Sequence, residues 1–195
     1  MARDPARRAA LAEAATDYAL EHGLIGLSLR PLAAAVGTSD RMLLYHFAGK
    51  DDLVASVLRV STDRSISQIR DLPPAKDVAG FVVGFWDASV SGQLERCQRL
   101  YVEAAALGLL GQEPYASVVR EANDRWTAAL VDAVVEAGCP PAVARRFVVL
   151  LDAAFMGLQL DLPLDRGHPD QRRAVLDLAA ALTTLTRADP TDSRP

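Results

Sequence analysis

The stretch Leu24–Leu53, LIGLSLRPLAAAVGTSDRMLLYHFAGKDDL, has the pattern of two short helices joined by a tight turn. Ser28 is placed to cap the first helix, and Gly37 permits the sharp turn that ends it. Thr38 or Ser39 then caps the second helix. Two short helices joined by a glycine-containing turn form the helix-turn-helix unit, whose second helix enters the DNA major groove.

The stretch also matches a longer signature. The matching positions keep one register and are Arg30, Leu32, Ala33, Val36, Gly37, Thr38, Ser39, Leu43, Tyr45, His46, Phe47, Gly49, Lys50 and Leu53. Together they resemble the DNA-binding signature of the tetracycline-repressor (TetR) family of bacterial transcription regulators, over roughly the first quarter of the chain. The family usually has tyrosine where this chain has Leu44, and Tyr45 follows. The residue that faces a DNA phosphate is therefore either Leu44 or Tyr45.

Helical spacing of apolar residues continues through the rest of the chain, and no stretch is convincing as a strand. We therefore predict an all-α protein of about nine helices, with a three-helix DNA-binding head on a larger helical-bundle body. The expected division is a helix-turn-helix domain at residues 1–50, an effector-binding and dimerisation domain at 51–188, and a disordered tail at 189–195.

Composition favours a globular chain, since half of the 195 residues are apolar. No run approaches the ~18 uninterrupted apolar residues of a membrane span, and the arginine-rich start does not resemble a signal peptide. We therefore expect a soluble cytoplasmic protein with no membrane partner. Cys97 and Cys139 are too few and too far apart for a disulfide framework or a zinc site, so we expect them to be buried and predict no metal and no cofactor.

The charge is distributed unevenly. Residues 1–50 carry six basic and five acidic side chains, whereas the other 145 residues carry 15 basic and 20 acidic ones. An acidic body repels DNA, so we expect contact only near the amino terminus. Arg3, Arg7 and Arg8 are either a basic arm that reaches the DNA backbone or a solvated chain end.

The candidate DNA contacts follow from side-chain chemistry. Arg30, where the family commonly presents a base-contacting residue, and Arg41 can each form a fork to guanine. Asp40 either accepts from a cytosine amino group or caps its helix, and His46 either binds phosphate or packs under the motif. The full predicted set is Arg30, Thr38, Ser39, Asp40, Arg41, Met42, Leu44, Tyr45, His46 and Lys50.

Aromatic residues on inward helix stripes of the body suggest either a ligand cavity or a plain core. The TetR resemblance implies a body that holds a small-molecule effector, which favours the cavity. The predicted ligand residues are Phe81, Phe85, Trp86, Tyr101, Glu103, Trp126, Phe155, Met156 and Gln159. A glutamate such as Glu103 suits a cationic or hydroxylated ligand, although a solvent-facing carboxylate is the simpler interpretation.

The last two helices carry excess apolar surface. Residues 147–160, FVVLLDAAFMGLQL, are apolar nearly all the way round, which predicts a subunit interface. The resemblance implies the same, because TetR-like proteins dimerise through their last two long helices. The predicted interface residues are Phe147, Leu151, Phe155, Leu158, Val175, Leu178, Leu182 and Leu185.

Taken together, these patterns predict a homodimeric transcription regulator, a repressor that a small-molecule effector releases from a palindromic operator in double-stranded DNA. One alternative is a constitutive DNA-binding dimer without a ligand. Another is a helical-bundle carrier or enzyme. None of the three histidines sits in a Glu-x-x-His pair or beside a serine or cysteine motif, so no catalytic residue is proposed.

Overall fold

The computed structural model describes residues 4–161 and 170–187, and in these ranges the chain forms nine α-helices and no strand. This agrees with the predicted all-α class. None of these helices is both long and apolar enough to span a bilayer. The predicted tail at 189–195 lies outside the described ranges. The helices are α1 Pro5–His22, α2 Leu29–Ala35, α3 Asp40–His46, α4 Lys50–Arg70, α5 Val78–Ser89, α6 Gly92–Leu109, α7 Tyr115–Glu136, α8 Pro141–Asp161 and α9 Asp170–Arg187.

Short polar side chains start several helices. Asp4 accepts from the backbone N–H groups at the start of α1, and Asp77 accepts from Gly80 at the start of α5. Ser28 was expected to cap α2 in the same way, but it occupies the cap position without a side-chain hydrogen bond. The third residue of α2 is Pro31, which has no N–H, so one of the two usual donors to a cap side chain is missing.

The chain divides into two compact units, the first comprising Met1–Ser67 and Gln93–Arg125 and the second Gln68–Gly92 and Trp126–Pro195. In the first unit, the three amino-terminal helices share one hydrophobic core with parts of α4, α6 and α7. Members of this core are Leu11, Ala15, Ala19, Leu32, Leu43, Phe47, Leu53, Val57, Leu100, Ala104 and Val118. The compact unit is thus larger than residues 1–50, whose separate DNA-binding role stays a prediction.

In the second unit, α9 packs against both α5 and α8. The inward side chains of α8 include Phe147, Leu151 and Phe155, all of which are fully buried or nearly so. Cys139 is also buried, as expected for a small apolar side chain, and burial raises the pKa of its thiol.

Candidate DNA-binding interface

The turn between α2 and α3 is fixed by Gly37. Its φ is 68°, in the left-handed region that favours glycine. The Gly37 N–H donates to the carbonyl of Ala34 at 3.3 Å, and the Thr38 N–H donates to that of Ala33 at 2.9 Å. This pair of bonds is the Schellman motif that closes a helix. It directs the chain into α3 after only a few residues.

The start of α3 is capped by Ser39, whose hydroxyl accepts from the Met42 N–H at 3.2 Å. Asp40 lies in the first turn, and its carboxylate accepts from the Arg41 N–H at 2.8 Å. Ser39 therefore occupies the cap position, and Asp40 satisfies one further N–H at the start of α3, which favours its helix-capping interpretation. On the opposite side of α3, Leu43 is fully buried.

Most of the ten candidate DNA contacts lie on the surface of the first unit. Thr38 is half-buried. His46 is the exception, since it is only 5% exposed and its Nδ1 has no hydrogen-bond partner among the described residues. This placement favours packing under the motif over a phosphate contact. The exposed candidates are Arg30, Ser39, Asp40, Arg41, Met42, Leu44, Tyr45 and Lys50.

The cations of this surface are not engaged by carboxylates. In the described part of the chain, Arg30, Arg41 and Lys50 are exposed and take part in no ion pair. In the same unit, Arg59 pairs with Glu121 at 2.9 Å. Two unpaired positive charges on the helix-turn-helix and a third at the start of α4 are therefore available to bind phosphate oxygens or base edges.

Arg8 has a structural role instead. Its guanidinium donates to Asp52 at 2.8 Å and to the Ser56 hydroxyl at 3.0 Å, and it lies 4.8 Å from the centre of the Phe47 ring. Arg8 thus ties α1 to α4 and is no part of a free basic arm. Arg7 is exposed, and Arg3 lies outside the described residues.

The carboxylate that pairs with Arg8 is itself held by several groups. Burial alone would raise the pKa of Asp52, but hydrogen bonds from the Ala48 N–H and from Arg8, together with the charges of Arg8 and Arg59, lower it. A lowered pKa means that the carboxylate stabilises the fold at neutral pH. This contribution disappears as the pH falls through the pKa of the folded state.

Glu103 of α6 holds the segment that precedes the helix-turn-helix, a role that no sequence pattern indicates. Its carboxylate accepts from the backbone N–H of Leu24 at 2.6 Å and of Ile25 at 2.9 Å. A Cβ on Gly23 would lie 2.8 Å from both carboxylate oxygens, so the side chain lies directly against the end of α1. Glu103 therefore holds the segment between α1 and α2, and it is not a solvent-facing carboxylate.

We expect Glu103→Gln to destabilise this segment by about 1 to 3 kcal/mol, because two N–H donors would no longer face a charged acceptor. Urea unfolding measures the change, and amide hydrogen exchange at Leu24 and Ile25 localises it. Glu21→Gln is the matched control, because Glu21 is exposed, and we expect it to change stability by less than about 0.5 kcal/mol. Unchanged exchange at the two amides in Glu103→Gln would contradict the assigned role.

The predicted ligand residues do not all lie together. Tyr101 and Glu103 belong to the first unit, and the others belong to the second. Within the second unit, the Phe155 ring lies 5.2 Å from that of Phe85 and 5.0 Å from that of Trp86. These aromatic residues are thus packed on one another, which favours the core interpretation for them.

Polar groups around these rings are paired. The indole N–H of Trp126 donates to Asp152 at 2.8 Å. Burial raises the pKa of Asp152, and the bond from Trp126 opposes that rise. The Gln159 amide donates to the Ser89 hydroxyl at 2.8 Å, and Met156 is half-buried.

The residues predicted for a dimer interface largely face inward. Leu158, Leu178 and Leu185 are half-buried. The other five are buried within a single chain and are Phe147, Leu151, Phe155, Val175 and Leu182. An apolar pattern on all sides of α8 does not separate inward from outward positions, and the outward ones are Val149, Leu150, Ala153, Gly157 and Leu160.

A family match covers the amino-terminal part of the chain. Residues 11–57 match the family described as bacterial regulatory proteins, tetR family. This segment contains α2, α3 and the ten candidate DNA contacts, together with buried core residues from Leu11 to Val57. No curated protein matches the chain.

Solved structures resemble this chain in fold over more than nine-tenths of its length. A transcriptional regulator from Rhodococcus sp. Rha1 is 23% identical, with a TM-score of 0.74 and coverage of 94% of this chain and 99% of the other. The multidrug binding protein EbrR, complexed with imidazole, is 24% identical, with a TM-score of 0.66 and coverage of 92% and 96%. A transcriptional regulator from Saccharomonospora viridis in complex with choline is 16% identical, with a TM-score of 0.63 and coverage of 95% and 98%. At these identities the structures establish the fold.

Proposed function

We propose, on the premise that residues 11–57 form a DNA-binding segment of the tetR family, that this chain is a homodimeric transcriptional repressor released from its operator by a small molecule. One observation carries the DNA-binding part: Arg30 and Arg41 on the helix-turn-helix and Lys50 at the start of α4 are exposed and free of ion pairs within the described residues. We place the protein in the cytoplasm, where the DNA of a bacterial cell lies.

The proposed contacts divide into two kinds. Arg41, near the start of α3, and Arg30, in the first turn of α2, present guanidinium groups that can form two hydrogen bonds to one guanine. Lys50 and the hydroxyl of Tyr45 instead bind phosphate oxygens, which fixes the register of the protein on the duplex. The first kind determines sequence preference, and the second determines affinity for all sequences.

A second copy of the chain is the proposed partner of the outward face of α8 and α9. Val149, Leu150 and Leu160 of α8 are 57%, 46% and 48% exposed, and Leu176 of α9 is 45% exposed. The exposed Ala153 and Gly157 lie between them on α8, and such small residues let helices approach closely. An isologous dimer through this face would cover the apolar surface and present two recognition helices to a palindrome.

Release by a ligand requires two states of this dimer with different spacings of the recognition helices. A ligand that binds the state with the poorer spacing more tightly, by about 1 to 3 kcal/mol, would lower operator affinity. Two proteins of similar fold are solved with imidazole and with choline, which supports a small-molecule effector here. The packed aromatic residues around Phe155 favour the alternative, a DNA-binding dimer without a ligand.

We expect Arg30→Ala and Lys50→Ala to weaken DNA binding in different ways. Arg30→Ala should reduce the discrimination between operator and random DNA by about 1 to 3 kcal/mol. Lys50→Ala should weaken binding to all sequences and reduce the slope of log affinity against log salt by about 0.9 for each phosphate that is no longer neutralised. Fluorescence anisotropy at several salt concentrations, with fragments from around the gene of the protein, measures both.

The charge-matched control is Arg99→Ala, which removes an exposed arginine from α6, outside the helix-turn-helix. It should bind DNA like the unaltered protein. Equal weakening in all three variants would mean that net charge, and not these contacts, determines affinity. A selection from genome fragments that enriches no sequence would overturn the proposal of a sequence-specific regulator.

A further inference from the structure

A cleft in the second unit is lined by only one of the predicted ligand residues, Phe81. Its volume is about 410 Å³, within the range of small-molecule sites. It is formed by the last turn of α4, the segment that follows it, the start of α5 and the end of α7. The lining residues are Ile69, Arg70, Leu72, Pro73, Pro74, Ala75, Phe81, Ala129, Asp132, Ala133, Glu136 and Ala137.

The buried side chains that line the cleft are apolar. Ile69, Phe81 and Ala129 are buried, and Pro73 and Pro74 form an exposed wall. Two successive prolines have fixed φ angles and no N–H, so this wall is stiff and offers no backbone donor. An apolar ligand body would therefore lie against this wall and the buried apolar side chains.

The charges at the rim are mostly negative. Asp132 and Glu136 stand one turn apart on α7, both exposed, and within the described residues neither takes part in an ion pair. Arg70 is the one basic residue among the lining, which leaves a formal charge of −1. The helices α4 and α7 both end here, at Arg70 and Glu136, and helix carboxyl ends carry partial negative charge.

We propose that this cleft binds an organic monocation with an apolar body, such as an aryl or alkyl quaternary ammonium. The apolar part would lie against Ile69 and Phe81, and the ammonium would face Asp132 and Glu136. The cleft adjoins the packed rings, since the Phe81 ring lies 5.9 Å from that of Phe85, but none of the other predicted ligand residues lines it. The proposal that this cation is the effector rests on the proposed function, whereas the proposal that it binds the cleft does not.

The test is calorimetric titration of the full-length protein, without DNA, with benzyltrimethylammonium, benzyl alcohol and benzenesulfonate. The ammonium should bind saturably, and the neutral and anionic aromatics should bind at least tenfold more weakly. Asp132→Asn combined with Glu136→Gln should weaken the ammonium at least tenfold. Both substitutions are isosteric and at the surface, so the fold should be kept, which circular dichroism verifies.

Asp124→Asn is the matched control, because Asp124 is an exposed carboxylate of α7 that does not line the cleft. It should bind the ammonium as the unaltered protein does. Equal affinity for the three aromatics, or undiminished binding in the double variant, would overturn the proposed site. Operator affinity is then measured with and without the ammonium. If the ammonium binds the protein but operator affinity does not change, its effector role alone is refuted. If the ammonium does not bind and the protein still recognises its operator, the site alone is refuted.

Discussion

Replacing Leu150 with glutamate is expected to make the protein monomeric and to lower operator affinity about 100-fold or more. Leu150 is 46% exposed on the outward face of α8. In an isologous interface the same residue enters from both copies, so the substitution would bury two carboxylates among apolar side chains. Linking two DNA-binding modules raises avidity by a factor of roughly 10² to 10⁴, and a monomer lacks this increase.

Sedimentation equilibrium measures the oligomeric state, and anisotropy with a palindromic operator measures the affinity. Leu110→Glu is the matched control, because Leu110 is 76% exposed and belongs to the first unit, whereas α8 belongs to the second. It should remain dimeric and bind normally. A Leu150→Glu protein that still sediments as a dimer would refute the assigned interface, and a monomer with full operator affinity would refute the need for two half-sites.

The helix-turn-helix was predictable because its signals are local. The Gly37 turn and the Ser39 cap both depend on neighbours within a few residues. The structure confirms the turn at Gly37 and the cap at Ser39. Ser28 makes no cap hydrogen bond, and the proline three residues later, which removes one of the two usual donors, was visible in the sequence.

Features that depend on distant neighbours were not predictable in this way. Glu103 and Leu24 are 79 residues apart, and no spacing rule connects a glutamate in α6 with two amides after α1. In α8, apolar residues surround the helix, so Leu150 and Leu151 look alike in sequence although one faces outward and the other is buried. Likewise, the sequence pattern around Phe85 would be the same whether its ring lay in a packed core or lined an empty cavity.

Phe47→Ala is expected to lower the free energy of unfolding by about 3 to 5 kcal/mol, the usual cost of removing a large buried aromatic side chain. Phe47 is fully buried in the core that the amino-terminal helices share with residues of α6 and α7. Its ring also lies 4.8 Å from the Arg8 guanidinium, so the substitution removes that cation–π interaction as well. Urea unfolding followed by circular dichroism measures the change.

Tyr45→Ala provides the control that separates folding from DNA contact, because Tyr45 is an aromatic residue two positions earlier and is 39% exposed. It should cost less than about 1 kcal/mol of stability and still weaken DNA binding, since its hydroxyl would no longer bind phosphate. Phe47→Ala should instead weaken DNA binding only to the extent that it unfolds the protein. If Phe47→Ala were as stable as Tyr45→Ala, the shared core of the first unit would not be what holds the recognition helix in place.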